Sequence, residues 1–78
     1  MKQLTIRSTV IDWPDKTLEI TDTAGNKHIV SLDTIIHVVM IGYPDRETKT
    51  MQARDLGTYM SKGYIIKQIS FEEKSTNE

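Results

Sequence analysis

The sequence predicts a small α+β domain, mainly β, with the element order β-β-β-β-β-α-β and one helix near the C-terminus. Apolar and polar residues alternate with a period of two through most of the chain up to Gln52, which is typical of half-buried strands. Residues that favour turns separate these stretches. Only residues 53–62 place apolar side chains at spacings of three and four, as a helix does. We therefore expect a small curled antiparallel meander or a partly open small barrel.

The first strand is predicted over residues 2–13, and the sequence Trp13-Pro14-Asp15-Lys16 forms the turn that ends it. Strict alternation predicts one face made of Leu4, Ile6, Ser8 and Val10. Ile11 then belongs to the opposite face. Two more strands follow over residues 17–22 and 27–32, and the turn between them contains Gly25 and Asn26, which take positive φ at little cost.

The fourth strand, predicted over residues 35–41, is apolar on both faces. One face carries Ile36, Val38 and Met40, and the other carries Ile35, Val39 and Ile41. A strand of this kind is usually central in a sheet and covered on both sides. In a chain of 78 residues, cover for the second face requires a barrel wall, a helix or a second subunit.

The remaining elements are a hairpin loop over residues 42–47, a short strand over 48–52, the helix over 53–62 and a last strand over 64–71. Gly63 follows the helix, at a position that commonly takes the left-handed conformation. Residues 72–78 contain no apolar side chain, so we expect a disordered polar tail. The domain is therefore predicted to be single and to span residues 1–71.

The composition excludes several classes of protein. The chain has no cysteine, so it has no disulfides, and this agrees with a reducing compartment. Its two histidines, His28 and His37, stand nine residues apart without neighbouring ligands, so no metal or other cofactor is expected. The longest apolar stretch is much shorter than the roughly 20 residues that a membrane span needs. Together with the absence of a signal-peptide pattern, this predicts a cytoplasmic protein without a membrane partner.

No catalytic motif is present, and we predict that the chain is not an enzyme. Asp45, Glu47 and Lys49 resemble a nuclease motif only in their order, because they share one short loop instead of converging from adjacent strands. His37 has neither a nucleophile nor an orienting acid beside it in the sequence. An enzymatic site would have to form across subunits, from His37 or from the loop of Asp45, Glu47 and Lys49.

The features that remain favour a small adaptor, regulator or inhibitor, of a kind that phages and mobile elements encode, which binds another protein or a second copy of itself. Two aromatic residues lie in loops beside proline, where they are suited to anchor an interface. The contact is predicted through a sheet edge or these loops, and its residues are Trp13, Ile35, Val39, Ile41 and Tyr43. A different interpretation of Trp13 is that it covers one end of the sheet as part of the core.

The alternative function is nucleic-acid binding or transcription regulation by a small barrel. Trp13 or Tyr43 would stack bases, and the phosphate contacts would come from Arg7, Lys16, Arg46 and Lys49. The net charge is −1, with both signs dispersed along the chain. A protein that binds nucleic acid electrostatically usually concentrates its Lys and Arg on one face, so this function is the second choice.

Overall fold

Six antiparallel strands form one open sheet in the computed structural model, which describes residues 2–42 and 46–72. This confirms the predicted mainly-β, α+β class, and the sheet does not close into a barrel. The elements are β1 (Lys2–Asp12), β2 (Thr17–Asp22), β3 (Lys27–Ser31), β4 (Ile35–Ile41), β5 (Arg46–Gln52), a 3₁₀ turn (Ala53–Asp55), α1 (Leu56–Ser61) and β6 (Ile65–Phe71). The tail beyond Glu72 and the loop residues 43–45 lie outside the described residues.

The strand order is β3-β2-β1-β6-β4-β5. The meander therefore covers only the first three strands, because β6 lies between β1 and β4. Leu4 of β1 pairs with Ile69 of β6, and Ile69 pairs in turn with Val38 of β4. The last strand thus joins a three-stranded unit to the β4–β5 hairpin, and β3 and β5 are left as the two edges.

A β-bulge divides β1 into two halves. Lys2–Thr5 pair with β6, whereas Ile6 and the residues after it pair with β2. The register with β2 shifts between Ile6 and Ser8, which makes Arg7 the additional residue. A bulge moves the residues that follow it to the opposite faces. The alternation expected from the sequence is therefore wrong beyond Ile6: Val10 is exposed, and Ile11 packs against the core.

The core lies between the concave face of the sheet and the short helical segment. The predicted helix over residues 53–62 occurs as the 3₁₀ turn followed by α1, and Gly63 follows it with a φ of 93°. Ala53 and Leu56 point from this segment into the core. The fully buried sheet residues that they meet are aliphatic or methionine: Leu18, Ile20, Ile36, Val38, Met40 and Ile69. Because one face of each strand is used in this way, the opposite face of the sheet forms the outer surface.

The turn between β2 and β3 is fixed by the side chain of Asp22. The Oδ1 atom of Asp22 accepts the backbone N–H groups of Ala24 (3.0 Å) and Asn26 (2.9 Å), and its Oδ2 atom lies 2.9 Å from Nε2 of His28. The hydrogen bond with His28, and then that with Asn26, lowers the pKa of Asp22. The Asp22 side chain therefore holds the β2–β3 hairpin most firmly while it is ionised.

The corner between β3 and β4 is a turn in which the Oγ atom of Ser31 accepts the N–H of Asp33 (3.1 Å). Arg54 attaches this corner to the 3₁₀ turn, since its backbone N–H donates to the carbonyl of Leu32 (3.0 Å) and its guanidinium pairs with Asp33. These contacts set the position at which β4 begins.

Candidate functional site

The outer face of β4 exposes aliphatic side chains between the strands β6 and β5. Its inner residues, Ile36, Val38 and Met40, are fully buried, as the sequence predicts. On the outer face Ile35 is 52% exposed, Ile41 is 37% exposed and Val39 is half-buried. The expected two-sided apolar strand is thus present and is paired on both sides, but it lies next to the edge strand β5, and no other described part of the chain covers its second face.

Ile65 of β6 extends this apolar surface, and it was not among the residues predicted from the sequence. It lies directly opposite Ile41 and is 60% exposed. The register between β4 and β6 shifts between Val39 and Met40, so that Lys67 is the additional residue of a second bulge. We call Ile35, Val39, Ile41 and Ile65 the apolar stripe.

Uncharged polar side chains flank the middle of the apolar stripe. Val39 lies between Thr48 of β5 and Gln68 of β6, and His37 lies between Thr50 and Ser70. The Nδ1 atom of His37 is 2.9 Å from Oγ1 of Thr50. On the β6 side, Nε2 of Gln3 in β1 donates to Oε1 of Gln68 (2.9 Å). These hydrogen bonds hold polar groups beside the middle of the stripe.

Three cations surround one end of the apolar stripe. Arg46 of β5 lies directly opposite Ile41, on the same outer face. Arg7 and Ile65 line one groove, where β1 diverges from β6. Lys67 is exposed at the β6 bulge, between Ile66 and Gln68. Arg46, Ile41 and Ile65 therefore lie in one row across β5, β4 and β6, and Arg7 lines the groove beside Ile65.

A second group of exposed apolar side chains lies on the β1-β2-β3 half of the sheet. Val10 and Ile29 lie on either side of Glu19, and Trp13 is 58% exposed beside them in a shared groove. Glu19 forms an ion pair with Lys27, at 3.2 Å. A charged pair in the middle of a patch must lose water when the patch is covered, which is costly. This patch is therefore less suited to tight contact than the apolar stripe.

The structure divides the five predicted partner-binding residues between two regions. Ile35, Val39 and Ile41 share the outer face of β4. Trp13 follows β1 beyond its pairing with β6 and belongs to the other half of the sheet. Its exposure excludes the interpretation of Trp13 as a core residue. Tyr43 lies outside the described residues.

The four cations proposed for nucleic-acid contact do not form one surface. Arg46 lies opposite the exposed Ile41, whereas Lys49 lies opposite the buried Val38, so these two residues are on different faces of β5. Lys49 also pairs with Glu47, at 3.5 Å. Lys16 lies in the β1–β2 turn, with a φ of 57°. Only Arg46 and Arg7 approach the same end of the sheet.

Metal ligands are not gathered in the part of the chain that the structure describes. Within residues 2–42 and 46–72, no three His, Asp or Glu side chains converge as a metal ion would require. Asp45 lies outside those residues, so the loop of Asp45, Glu47 and Lys49 is described only in part. His28 and His37 each contact a neighbouring side chain.

None of the described helices is long and apolar enough to cross a membrane.

Comparison with known protein families, with curated proteins and with solved structures finds no match.

Proposed function

We propose that this chain is a non-enzymatic protein–protein interaction module, a small adaptor, regulator or inhibitor, which binds its partner through the outer face of β4 and β6. The apolar stripe carries this proposal. Its four aliphatic side chains lie on one face of β4 and β6, hydrogen-bonding groups flank its middle, and cations surround one end. A protein interface has this arrangement, since its buried centre is depleted of charged residues and its rim is polar.

The face of the sheet is better suited to this contact than either edge. The edge strand β5 carries Arg46, Glu47 and Lys49, and charged side chains oppose the addition of a further strand. The other edge strand, β3, has only 5 residues. Binding on the face leaves the backbone hydrogen bonds of the sheet intact, so the contact depends on side chains alone. We propose that the module acts in the cytoplasm, because a chain without cysteine is suited to a reducing compartment.

Affinity capture from a lysate, with and without nuclease, tests this function. The tagged chain is compared with the double variant Ile41→Thr/Ile65→Thr, which keeps β-branched side chains but makes the stripe more polar. The matched control is Ile29→Thr, an exposed isoleucine on the other half of the sheet. We expect a specific protein that survives nuclease treatment, is lost with the double variant and is retained by Ile29→Thr. Retention of the same proteins by the double variant contradicts the proposed function.

A further inference from the structure

We infer that the occupant of the apolar stripe is an amphipathic helix of the partner protein, with carboxylate side chains along both flanks of its apolar face. This inference rests on the proposed function and names the chemistry of the partner. It follows from the width of the stripe, from its length and from the charges at one of its ends.

The width of the site fits one helix. Arg46 is on β5 and Arg7 is on β1, and β4 and β6 lie between these strands. Neighbouring paired strands are about 4.8 Å apart, so three steps would separate β5 from β1 by roughly 14 Å, and β1 diverges further at Arg7, beyond its pairing with β6. A helix with its side chains is about 10–12 Å wide. A helix that lies over Ile41 and Ile65 would therefore fit between the two arginine-bearing strands.

The length of the stripe fits a helix of ordinary size. Ile35 and Ile41 are the first and last residues of β4, and six steps of about 3.3 Å place them roughly 20 Å apart. A helix covers that distance with about 13 residues, because it rises 1.5 Å per residue. Helices packed on the face of a sheet are a standard layer arrangement, and the backbone of the incoming helix needs no free strand edge.

The charges indicate carboxylates on the partner. Arg7, Arg46 and Lys67 surround the end of the stripe that contains Ile41 and Ile65. A partner with Asp or Glu on both flanks of its apolar face would complement these cations. Such complementarity raises the association rate and selects against basic partners.

Neither the helix of a second copy nor a nucleic acid fits this site as well. In the part of the chain that the structure describes, the α-helix has 6 residues, and its Leu56 is buried in the core. A second copy therefore does not offer a free helix of the required length. Single-stranded nucleic acid is bound largely by stacking on aromatic side chains, and the apolar stripe is aliphatic, with Trp13 on the other half of the sheet.

The test uses two synthetic helical peptides and fluorescence anisotropy. Both are 16-residue amphipathic peptides with the same leucine stripe, and they differ only in having Glu or Lys on the flanks. We expect the Glu peptide to bind the full chain about tenfold more tightly than the Lys peptide, with an affinity that falls as salt increases. The double variant Arg7→Glu/Arg46→Glu should reverse this preference. The control variant Lys16→Glu/Lys27→Glu, altered on the other half of the sheet, should keep it.

The inference is overturned if both peptides bind equally, if neither binds at millimolar concentration, or if the double variant keeps its preference for Glu. Circular dichroism shows whether the double variant is folded. If it is not folded, the single variant Arg46→Glu is used in its place. Affinity capture from lysate distinguishes a failure of this inference from a failure of the proposed function. If Ile41→Thr/Ile65→Thr loses that partner but Arg7→Glu/Arg46→Glu retains it, the interaction function stands and the acidic helix does not. Self-association lost with the stripe variant, or oligonucleotide binding lost with the arginine variant, also overturns it.

Discussion

Ile41 of β4 and Ile65 of β6 lie directly opposite each other on the outer face of the sheet, and both are exposed. Cross-strand pairs of β-branched residues stabilise a sheet, so part of this contact contributes to folding. The exposed part of the two side chains contributes nothing to the described core. The candidate site can therefore be altered without unfolding the protein.

The double variant Ile41→Thr/Ile65→Thr should remain folded. We expect its free energy of unfolding to fall by less than about 1 kcal/mol, because exposed positions tolerate substitution and threonine favours strands. Ile36→Val, which alters a fully buried residue on the inner face of β4, removes one methylene and should cost about 0.5–1.5 kcal/mol. Urea unfolding of both variants measures the difference. A loss of several kcal/mol in the threonine variant would place the stripe in the core.

Trp13→Ala should have little effect on stability, with a change of less than about 1 kcal/mol, because the indole is largely exposed. Trp13 is the only tryptophan of the chain, so its fluorescence reports on one position. In the native protein we expect emission typical of an indole in water and efficient quenching by acrylamide. Blue-shifted emission that moves to longer wavelength on unfolding would show that the side chain is packed.

Asp22→Asn should destabilise the protein in a pH-dependent manner. The pKa of Asp22 is lowered in the folded state by His28 and by the N–H groups of Asn26 and Ala24. A lowered folded pKa contributes stability that is present above the unfolded value of about 3.9 and is lost as pH falls through the folded pKa. The stability difference between the natural chain and Asp22→Asn should therefore be largest above about pH 5 and shrink below about pH 4.

Urea unfolding midpoints of the natural chain and of Asp22→Asn, measured between neutral and acidic pH, give this difference in stability. His28→Gln removes the largest cause of the lowered pKa of Asp22, so it should reduce the pH-dependent part. An equal loss of stability at neutral and acidic pH in Asp22→Asn would show that the carboxylate charge does not hold the turn.

Gly42→Ala should destabilise the junction after β4. A Cβ atom at this position would come within 2.7 Å of Cδ2 and 2.8 Å of Cζ in the Tyr64 ring. Tyr64 also packs edge-on against Tyr59, with ring centroids 5.5 Å apart, so its ring is not free to move away. We expect a cost of about 1–3 kcal/mol.

Gly57→Ala is the matched control for Gly42→Ala. Its Cβ atom would lie 3.1 Å from Cδ1 of Ile11, and alanine gains about 1 kcal/mol of helix propensity over glycine. Mild crowding and improved propensity should nearly cancel in this variant. Thermal unfolding of both variants gives the comparison, and an equal response would show that the Tyr64 ring moves aside without cost.

The sequence was sufficient for the order of elements and for the two faces of β4. Alternation within Ile35–Ile41 needs no long-range information, because strand geometry alone places successive side chains on opposite faces. The position of β6 between β1 and β4 was not predictable in this way. It depends on pairings such as Leu4 with Ile69, which join residues far apart in the chain.

Ile65 was missed for a local reason. Strict alternation backwards from the buried Phe71 and Ile69 places Ile65 on the inner face, and the bulge at Lys67 reverses this. The signal was a charged residue at a position where the pattern requires an apolar one. In β1 the corresponding signal is Ser8, a polar residue on the face that alternation predicts to be apolar. The bulge at Arg7 exposes Val10 and turns Ile11 towards the core.

Methyl NMR of the complex with the captured partner shows which face of the sheet the partner contacts. With isoleucine δ1 methyl groups labelled in this chain, cross-saturation from the bound partner identifies the side chains in contact. We predict strong transfer to Ile35, Ile41 and Ile65, and none to Ile29, which is at least as exposed but lies on β3. Cross-saturation of Ile29, without cross-saturation of the isoleucines of the apolar stripe, would contradict binding through the stripe. It would place the binding site on the β1-β2-β3 half of the sheet.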